Sequence, residues 1–370
     1  SDVYKRQTWM IVPQTLLAQW NKQKVITCIM QIKVKFKEYQ RYLLFPLALF
    51  YWGLVFWRNL FYELNLFIIH KVDCKVLSIG NLTLGGTGKT PMVVFFAIYL
   101  ISLGKRVAIL SRGYGRATKG MVLVSKGDGN ILCPWQDCGD EPYMIANKLK
   151  GVPVLVDENR YRGGLYLTKN FNPDIIIMDD GFQHRALHRD LDIVLIDGGD
   201  SISEHRLLPY GKLREPWSNI IRANAIVITK KRPSALIKRK IDETLLPQLY
   251  TKFIPTIRYP NSFSSNTKVD QNIFIISGLG NPSFFERTVE RLGYEICGIK
   301  NFPDHYHYKK EDLDKIRLLM KESGASQILT TEKDWVKLKM FESDIAFGVV
   351  DINIRIQDEE ALKKIIKPIC

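Results

Sequence analysis

Cysteine is scarce in this chain. The 370 residues include six cysteines: Cys28, Cys74, Cys133, Cys138, Cys297 and Cys370. A chain of this length can build its core without disulfide bonds, so we expect free thiols and a reducing compartment. Cys133 and Cys138 have no second Cys/His pair after them at the distance found in zinc fingers, which argues against a metal site built from cysteine.

Acidic residues are also few relative to basic ones. The chain has 38 Asp and Glu against 53 Lys and Arg, which gives a net charge of +15. Such an excess suits an anionic partner, which can be nucleic acid, an acidic membrane face or a phosphorylated substrate. The stripe of basic residues with interleaved aromatics that is typical of nucleic-acid binding is missing, so we expect no nucleic-acid partner. No feature indicates an obligate protein partner.

The first 29 residues lack the charge, apolar core and cleavage-site order of a secretory signal. They also show no clear apolar period. A native start at Met30 would place an apolar segment near the amino terminus. We therefore interpret residues 1–29 as a non-native extension.

Long apolar runs are absent except for one, "YLLFPLALFYWGLVFW", from Tyr42 to Trp57. These sixteen residues fall short of the roughly 20 that span a bilayer. Four basic residues precede them: Lys33, Lys35, Lys37 and Arg41. A helix embedded in one leaflet, with basic side chains among anionic head groups, fits this pattern, while a single-pass helix and a helix buried against the protein are alternatives. We predict a membrane-anchoring region over residues 30–70.

Short apolar segments alternate with helical ones after Lys75. The segments "KVLSIGN", "RVAILS", "VPVLVD", "PDIIIMDD", "LDIVLID" and "NAIVITK" have strand length and character. Such alternation predicts an α/β fold with a mostly parallel sheet covered on both faces. We expect one unit over residues 71–260, a polar linker over 261–272, and a smaller α/β unit over 273–370.

A phosphate-binding signature follows the first predicted strand but lacks its first glycine. The pattern G-x(4)-G-K-[ST] requires glycine where this chain has Thr83. The predicted nucleotide-binding residues are Gly85, Gly86, Thr87, Gly88, Lys89 and Thr90. The glycines let backbone N–H groups approach phosphate, Lys89 can reach the β and γ phosphates, and Thr90 can ligate Mg²⁺. The pattern predicts a P-loop NTPase core with ATP and Mg²⁺ as cofactors; a Gly-rich turn that binds nothing is the alternative.

A second predicted element of the nucleotide site is "DIIIMDDGFQHR", an apolar strand that ends in Asp179 and Asp180. Carboxylates at this position can hold magnesium directly or through water. With Thr90, they form the predicted metal-binding set.

Two other signatures of P-loop proteins are missing. Membrane-cycling ATPases carry a second lysine in "KGGxGKT", where this chain has Leu84. The base-specificity motif "NKxD" of GTPases is replaced by "TKKR". These absences favour a group-transferring enzyme, with a membrane-associated P-loop regulatory ATPase as the alternative.

Five motifs in order resemble the tetraacyldisaccharide 4'-kinase family, the lipid A 4'-kinases of Gram-negative bacteria. They are "GNLTLGGTGKTP", "SRGYGR", "DDGFQHR", "LLPYGKLREP" and "TTEKD", within a match over about residues 35–345. In that family Thr83 is an ordinary feature. The resemblance implies a lipid kinase that transfers the ATP γ-phosphate to the 4'-hydroxyl of a tetraacylated glucosamine disaccharide 1-phosphate. It also implies a location at the cytoplasmic face of the bacterial inner membrane.

The same resemblance implies specific roles. Asp140 of "CGDEPYM" corresponds to the base, His305 of "NFPDHYHY" to its helper, and Lys89 completes the catalytic set. An Asp–His pair from two units would form when a cleft closes. The alternatives are that Asp140 only caps a helix and that His305 is a surface histidine.

Further residues are substrate-binding candidates on the strength of the matching motifs: Arg112, Tyr114, Glu141, Gln183, His184 and Arg214. The "TTEKD" motif, residues 330–334, suits either a buried salt bridge in the smaller unit or a ligand contact.

Overall fold

The computed structural model describes residues 44–260, 272–341, 345 and 347–370. The predicted extension over residues 1–29, the four basic residues before the apolar run, and residues 261–271 of the predicted linker lie outside this part of the chain.

Twelve strands of the described residues form one sheet in the order β10-β9-β11-β12-β8-β7-β6-β1-β5-β2-β4-β3. Neighbours run parallel except for the β3–β4 and β8–β12 pairs. The strands are β1 (Lys75–Asn81), β2 (Val107–Ser111), β3 (Val122–Lys126), β4 (Pro153–Val156), β5 (Ile175–Asp179), β6 (Leu191–Asp197), β7 (Ala225–Thr229), β8 (Gln248–Arg258), β9 (Asn272–Ser277), β10 (Glu295–Asn301), β11 (Gln327–Thr331) and β12 (Phe347–Ile356). The predicted α/β class with a mostly parallel sheet is confirmed.

The described residues include ten α-helices: α1 (Phe45–Glu63), α2 (Lys89–Ser102), α3 (Trp135–Cys138), α4 (Asp140–Lys148), α5 (Arg160–Phe171), α6 (Ala235–Asp242), α7 (Pro282–Arg291), α8 (Lys310–Glu322), α9 (Glu332–Leu338) and α10 (Glu359–Ile366). Pro46 lies in the first turn of α1, where its missing N–H costs no helical hydrogen bond. Helix α2 ends just before Gly104, whose φ of 78° suits the residue after a helix. In the part of the chain described here, no helix has the length and apolar character needed to cross a membrane.

The central strands are buried on both faces. Leu77 and Ile79 of β1 lie in a core cluster with Phe96 of α2, whereas Val76 joins a cluster on the other face with Leu167 of α5. Apolar side chains at consecutive positions of a strand can all be buried only when helices cover both faces of the sheet. This packing explains why the strand segments are continuous apolar runs.

Strand β8 connects the two parts of the sheet. Its first residues pair with β7 in parallel, from Gln248 to Tyr250. The rest, from Thr251 to Arg258, pairs with β12 in antiparallel orientation. Helix α10 then packs into the core cluster that contains β1 and α2. The carboxyl-terminal part of the chain therefore contacts the larger part through both β8 and α10.

Candidate active site

The glycine-rich loop between β1 and α2 presents bare backbone to open space. A Cβ atom added at Gly85 or Gly86 would meet nothing within 4 Å. Gly88, with φ of 88°, is the last residue before α2, and a Cβ there would come within 2.5 Å of the Phe253 ring. Open backbone at the amino terminus of a helix is the arrangement that binds phosphate groups.

Lys89 lies at the start of α2 and is held beside the end of β5. Its Nζ donates a hydrogen bond to Asn81 Oδ1 at 3.1 Å and lies 3.7 Å from Asp180 Oδ1. Arg214 Nη1 donates to both carboxylate oxygens of Asp180, at 3.0 and 2.8 Å, and lies 3.4 Å from Gln183 Oε1. The structure thus brings four of the predicted residues together next to the loop.

Asp179 and Asp180 have opposite electrostatic environments. Burial and the neighbouring carboxylates of Glu141 and Asp180 raise the pKa of Asp179 to about 7. Burial also opposes ionisation of Asp180, but Lys89 and Arg214 outweigh it and lower the pKa of that group.

The residues at the end of β5 fit a divalent cation. Asp179 Oδ2 accepts a hydrogen bond from Ser111 Oγ at 3.0 Å, whereas the buried Oδ1 has no hydrogen-bond partner among the described residues. An orphaned carboxylate oxygen beside a second carboxylate is the donor set that Mg²⁺ prefers, and a bound cation would offset their repulsion. Thr90, almost fully buried in the first turn of α2, is the third predicted ligand.

Asp140 is the first residue of α4 and is 3% exposed. The residue that precedes the helix is Gly139, with φ of 94°, and no side chain caps this end. Among the described residues, Asp140 Oδ1 accepts one hydrogen bond, from the N–H of the next residue, Glu141, at 3.0 Å. The capping alternative therefore does not account for this carboxylate.

The second carboxylate oxygen of Asp140 faces three cationic or titratable groups from later in the chain. His305 Nδ1 lies 3.0 Å from Oδ2, Lys337 Nζ lies 3.2 Å away and Lys333 Nζ lies 3.8 Å away. Burial alone would raise the pKa of Asp140, but the His305 hydrogen bond and the two lysines outweigh it and hold that pKa well below its usual range. Asp140 is therefore ionised at neutral pH.

Lys333 determines which nitrogen of the His305 ring carries the hydrogen. Its Nζ lies 3.1 Å from His305 Nε2 and donates to Asp304 Oδ1 at 2.8 Å. An ammonium can only donate, so Nε2 must accept and Nδ1–H must donate to Asp140. The hydrogen bond to Asp140 raises the pKa of His305, while Lys333 acts in the opposite direction. We assign the neutral Nδ1–H form, because an Nε2–H bond would point at the ammonium.

Three further predicted residues are Tyr114, Arg112 and His184. The Tyr114 ring is 70% exposed, and its centroid lies 5.5 Å from that of His305. Arg112 is exposed on the loop after β2. Burial, followed by the charges of Arg160, Arg189 and Arg112, lowers the pKa of His184 to about 4.

Sequence reasoning missed four residues that the structure places in the site: Asn81, Ser111, Lys333 and Lys337. The "TTEKD" motif was expected to form a salt bridge or contact a ligand. Glu332 does form an ion pair with Arg258, at 2.7 Å, while Lys333 points to Asp140 and His305. The four-residue spacing of Lys333 and Lys337, which places both on one helix face, was the available signal.

Comparison with known proteins gives one consistent family. The model of the tetraacyldisaccharide-1-P 4'-kinase family matches residues 40–370. The tetraacyldisaccharide 4'-kinase of Halothermothrix orenii is 36% identical over 340 residues, which cover 85% of this chain and 88% of the relative. That of Aquifex aeolicus is 37% identical over 327 residues, which cover 87% and 97%.

A solved structure agrees with the sequence comparisons. The crystal structure of LpxK from Aquifex aeolicus in complex with ATP matches with a TM-score of 0.73 and 34% sequence identity, covering 89% of this chain and 99% of that one. The family resemblance drawn from the motifs is confirmed. The chain belongs to the tetraacyldisaccharide-1-P 4'-kinase family.

Proposed function

We propose that this chain is an ATP-dependent lipid kinase. It transfers the γ-phosphate to the 4'-hydroxyl of a tetraacylated glucosamine disaccharide 1-phosphate in lipid A biosynthesis. Family membership supports the reaction, and one structural observation supports the mechanism. The amino terminus of α4 lies between the two halves of the site: Asp140 contacts His305 and the lysines of α9, while its neighbour Glu141 is within electrostatic reach of Lys89.

Asp140 acts as the proton acceptor. Its carboxylate is ionised, buried and held by His305, so it can orient the acceptor hydroxyl and take its proton as the new P–O bond forms. The transition state of phosphoryl transfer is loose in most analyses, so orientation of the hydroxyl matters more than the strength of the base. A carboxyl group that stays ionised at neutral pH therefore suits this role.

The cations at the glycine loop stabilise the transferring group. When bound, MgATP would supply the γ-phosphoryl group, and its magnesium ion would supply positive charge. Lys89 lies at the start of α2, where it can reach the terminal phosphates, and Arg214 forms an ion pair with Asp180. Thr90, Asp179 and Asp180 would hold the magnesium ion. Gln183 and His184, which follow Asp180, and Arg112 and Tyr114 would position the phosphates or the acceptor.

We propose that the unit formed by residues 71–260 carries the nucleotide and that the unit formed by residues 273–370 closes over it. The closing unit supplies His305, Lys333 and Lys337. The β8–β12 pair and helix α10 join the two units. In the closed state, Asp140 would then contact all three of these side chains.

We propose that α1 attaches the enzyme to the cytoplasmic face of the bacterial inner membrane as a monotopic helix. Its outer side carries large apolar side chains that are exposed by 40% or more: Phe45, Leu47, Leu49, Phe50, Trp52, Leu54, Phe56 and Trp57. A continuous exposed apolar face on one helix is typical of insertion into the interfacial layer. The acylated substrate lies in that same layer.

Transfer to lipid distinguishes the kinase from the alternative of a regulatory ATPase. The full chain is incubated with radiolabelled ATP, Mg²⁺ and the detergent-dispersed lipid disaccharide, and labelled lipid and free phosphate are both measured. The proposal predicts labelled lipid and little free phosphate. Steady release of phosphate with no labelled lipid would instead support the regulatory ATPase.

A further inference from the structure

Lys337 is a buried ammonium with an unusual set of neighbours. Its side chain is 1% exposed, and Nζ lies 3.2 Å from Asp140 Oδ2. Nζ also lies 5.4 Å from the centroid of the Trp135 ring. It makes no geometrically complete hydrogen bond to any described residue. Asp140 is the one carboxylate that pairs with this buried charge among the described residues.

Packing does not require a charge at this position. A methionine has similar length, and burying apolar atoms beside Trp135 would stabilise the site without the desolvation penalty of an ammonium. The charge therefore needs a partner, and Asp140 is the partner that the geometry provides. Lys337 cannot touch the nucleotide directly, since its side chain is enclosed.

The full set of charged groups around Asp140 comes from three elements. Helix α9 contributes Lys333 and Lys337, which share one helix face. The loop between β10 and α8 contributes His305, and its neighbour Asp304 forms an ion pair with Lys333. Helix α4 itself contributes Glu141, whose own pKa is raised by burial and by the neighbouring Asp140 charge. Lys337 is the most enclosed cation of this set and the nearer of the two lysines to Oδ2.

We propose that Lys337 is a positioning residue for phosphoryl transfer, whose buried ammonium fixes the Asp140 carboxylate in the orientation and charge state in which it accepts the hydroxyl proton. This inference rests on the proposed function of the site. Lys337 acts through Asp140 and makes no contact with substrate. Its position on α9 means that the carboxyl-terminal part of the chain supplies a determinant of base geometry besides His305.

The test replaces Lys337→Met in the full chain and measures kcat, the KM values for ATP and lipid, and the pH profile. Loss of the ammonium leaves Asp140 less firmly held, so we expect kcat to fall by about 10- to 100-fold while the KM for ATP is unchanged. Removing a positive neighbour raises the pKa of Asp140, so the acid limb of the profile moves to higher pH. Lys337→Arg, which keeps the charge, should keep the acid limb of the unmodified enzyme.

The matched control is Lys339→Met. Lys339 lies just after α9, is exposed, and contacts the Tyr143 ring rather than Asp140. The Lys339→Met variant should keep the kcat and the pH profile of the unmodified enzyme. Lys337→Gln is made in parallel, and thermal unfolding of each variant identifies any loss of fold, so that one unstable replacement does not decide the result.

The results distinguish failure of the Lys337 role from failure of the proposed function. If the unmodified enzyme transfers phosphate to lipid but the folded neutral variants keep its kcat and acid limb, the role of Lys337 is wrong and the proposed function stands. The role is also wrong if kcat falls but the acid limb does not move. If the unmodified enzyme phosphorylates no lipid, the proposed function itself fails.

Discussion

Asp140 and Asp179 show how the same residue type is tuned in opposite directions within one site. Both are buried, and burial alone would raise both pKa values. Asp140 is surrounded by His305 and two lysines and has a lowered pKa, whereas Asp179 faces other carboxylates and has a pKa of about 7. Pairs of carboxylates with separated pKa values are typical of divided catalytic roles. Here one suits proton acceptance and the other suits a bound cation.

His184 gives a prediction for acid stability. Its pKa of about 4 lies below the ordinary value of 6.5, so between these values the unfolded chain binds a proton that the folded chain does not. Stability contributed by neutral His184 is therefore complete above pH 6.5 and is lost as the pH falls towards 4. We therefore expect the melting temperature of His184→Asn to fall by a few °C less than that of the unmodified chain over this pH range.

Thermal unfolding of the unmodified chain and the variant, measured side by side from neutral to acidic pH, checks this expectation. Equal slopes for the unmodified chain and the His184 variant would contradict the account.

At the scale of elements, Glu215 links the apolar helix to the active site. This carboxylate is fully buried and pairs with Arg222 at 2.7 Å and with Arg58 of α1 at 3.2 Å. Tyr51 of α1 donates a hydrogen bond to the backbone oxygen of Arg214 at 2.8 Å. Because Arg214 contacts Asp180, the docking of α1 and the geometry of the proposed magnesium site depend on the same loop.

Glu215→Gln should destabilise the protein, since it keeps the shape of the side chain but leaves the arginine charges without their partner. Removing one member of a buried ion pair is expected to cost about 3 kcal/mol. Chemical denaturation measures the change in the free energy of unfolding. Glu243→Gln breaks an exposed pair with Arg239 and should change stability by less than about 0.5 kcal/mol; equal effects of the two variants would contradict the role of Glu215.

Replacing three exposed side chains of α1 by serine should weaken membrane attachment. Phe50, Leu54 and Trp57 follow helical spacing and are 68%, 56% and 56% exposed. Each replacement removes apolar surface that the lipid would cover. The loss weakens binding by about 25 cal/mol for each Å² of that surface. Cosedimentation with anionic vesicles should fall by more than 10-fold for the triple variant.

The control for this experiment uses exposed apolar residues away from α1. Ile221, Leu236 and Leu245 are 69%, 62% and 90% exposed. Their replacement by serine removes comparable surface but should leave vesicle binding unchanged. If both triple variants bind equally well, α1 is not the attachment site.

At the scale of the whole molecule, the sequence predicted the elements better than their connections. Apolar strand segments and the Gly104 stop signal gave β1, α2 and the parallel sheet, because those signals are local. The antiparallel pairing of β8 with β12 and the return of α10 to the larger core depend on contacts distant in sequence, which no local pattern encodes.

The same limit applies to the site. Gly88, Lys89 and the acidic end of β5 could be found from spacing, and Asp140 and His305 from family motifs. Lys333 and Lys337 were missed because their proposed roles depend on where α9 packs, which a sequence motif does not show. Their contact with Asp140 appears only when β11 and α9 are placed against α4.

The central claim is that the buried Asp140 directs γ-phosphate to one hydroxyl of a lipid disaccharide. Tandem mass spectrometry of the lipid product, from the unmodified chain and from Asp140→Asn, tests it most directly. The account predicts one added phosphate on the 4' position with the unmodified chain and almost none with the variant, although ATP binding is retained. A phosphate at another position, or equal product from the variant, would contradict it.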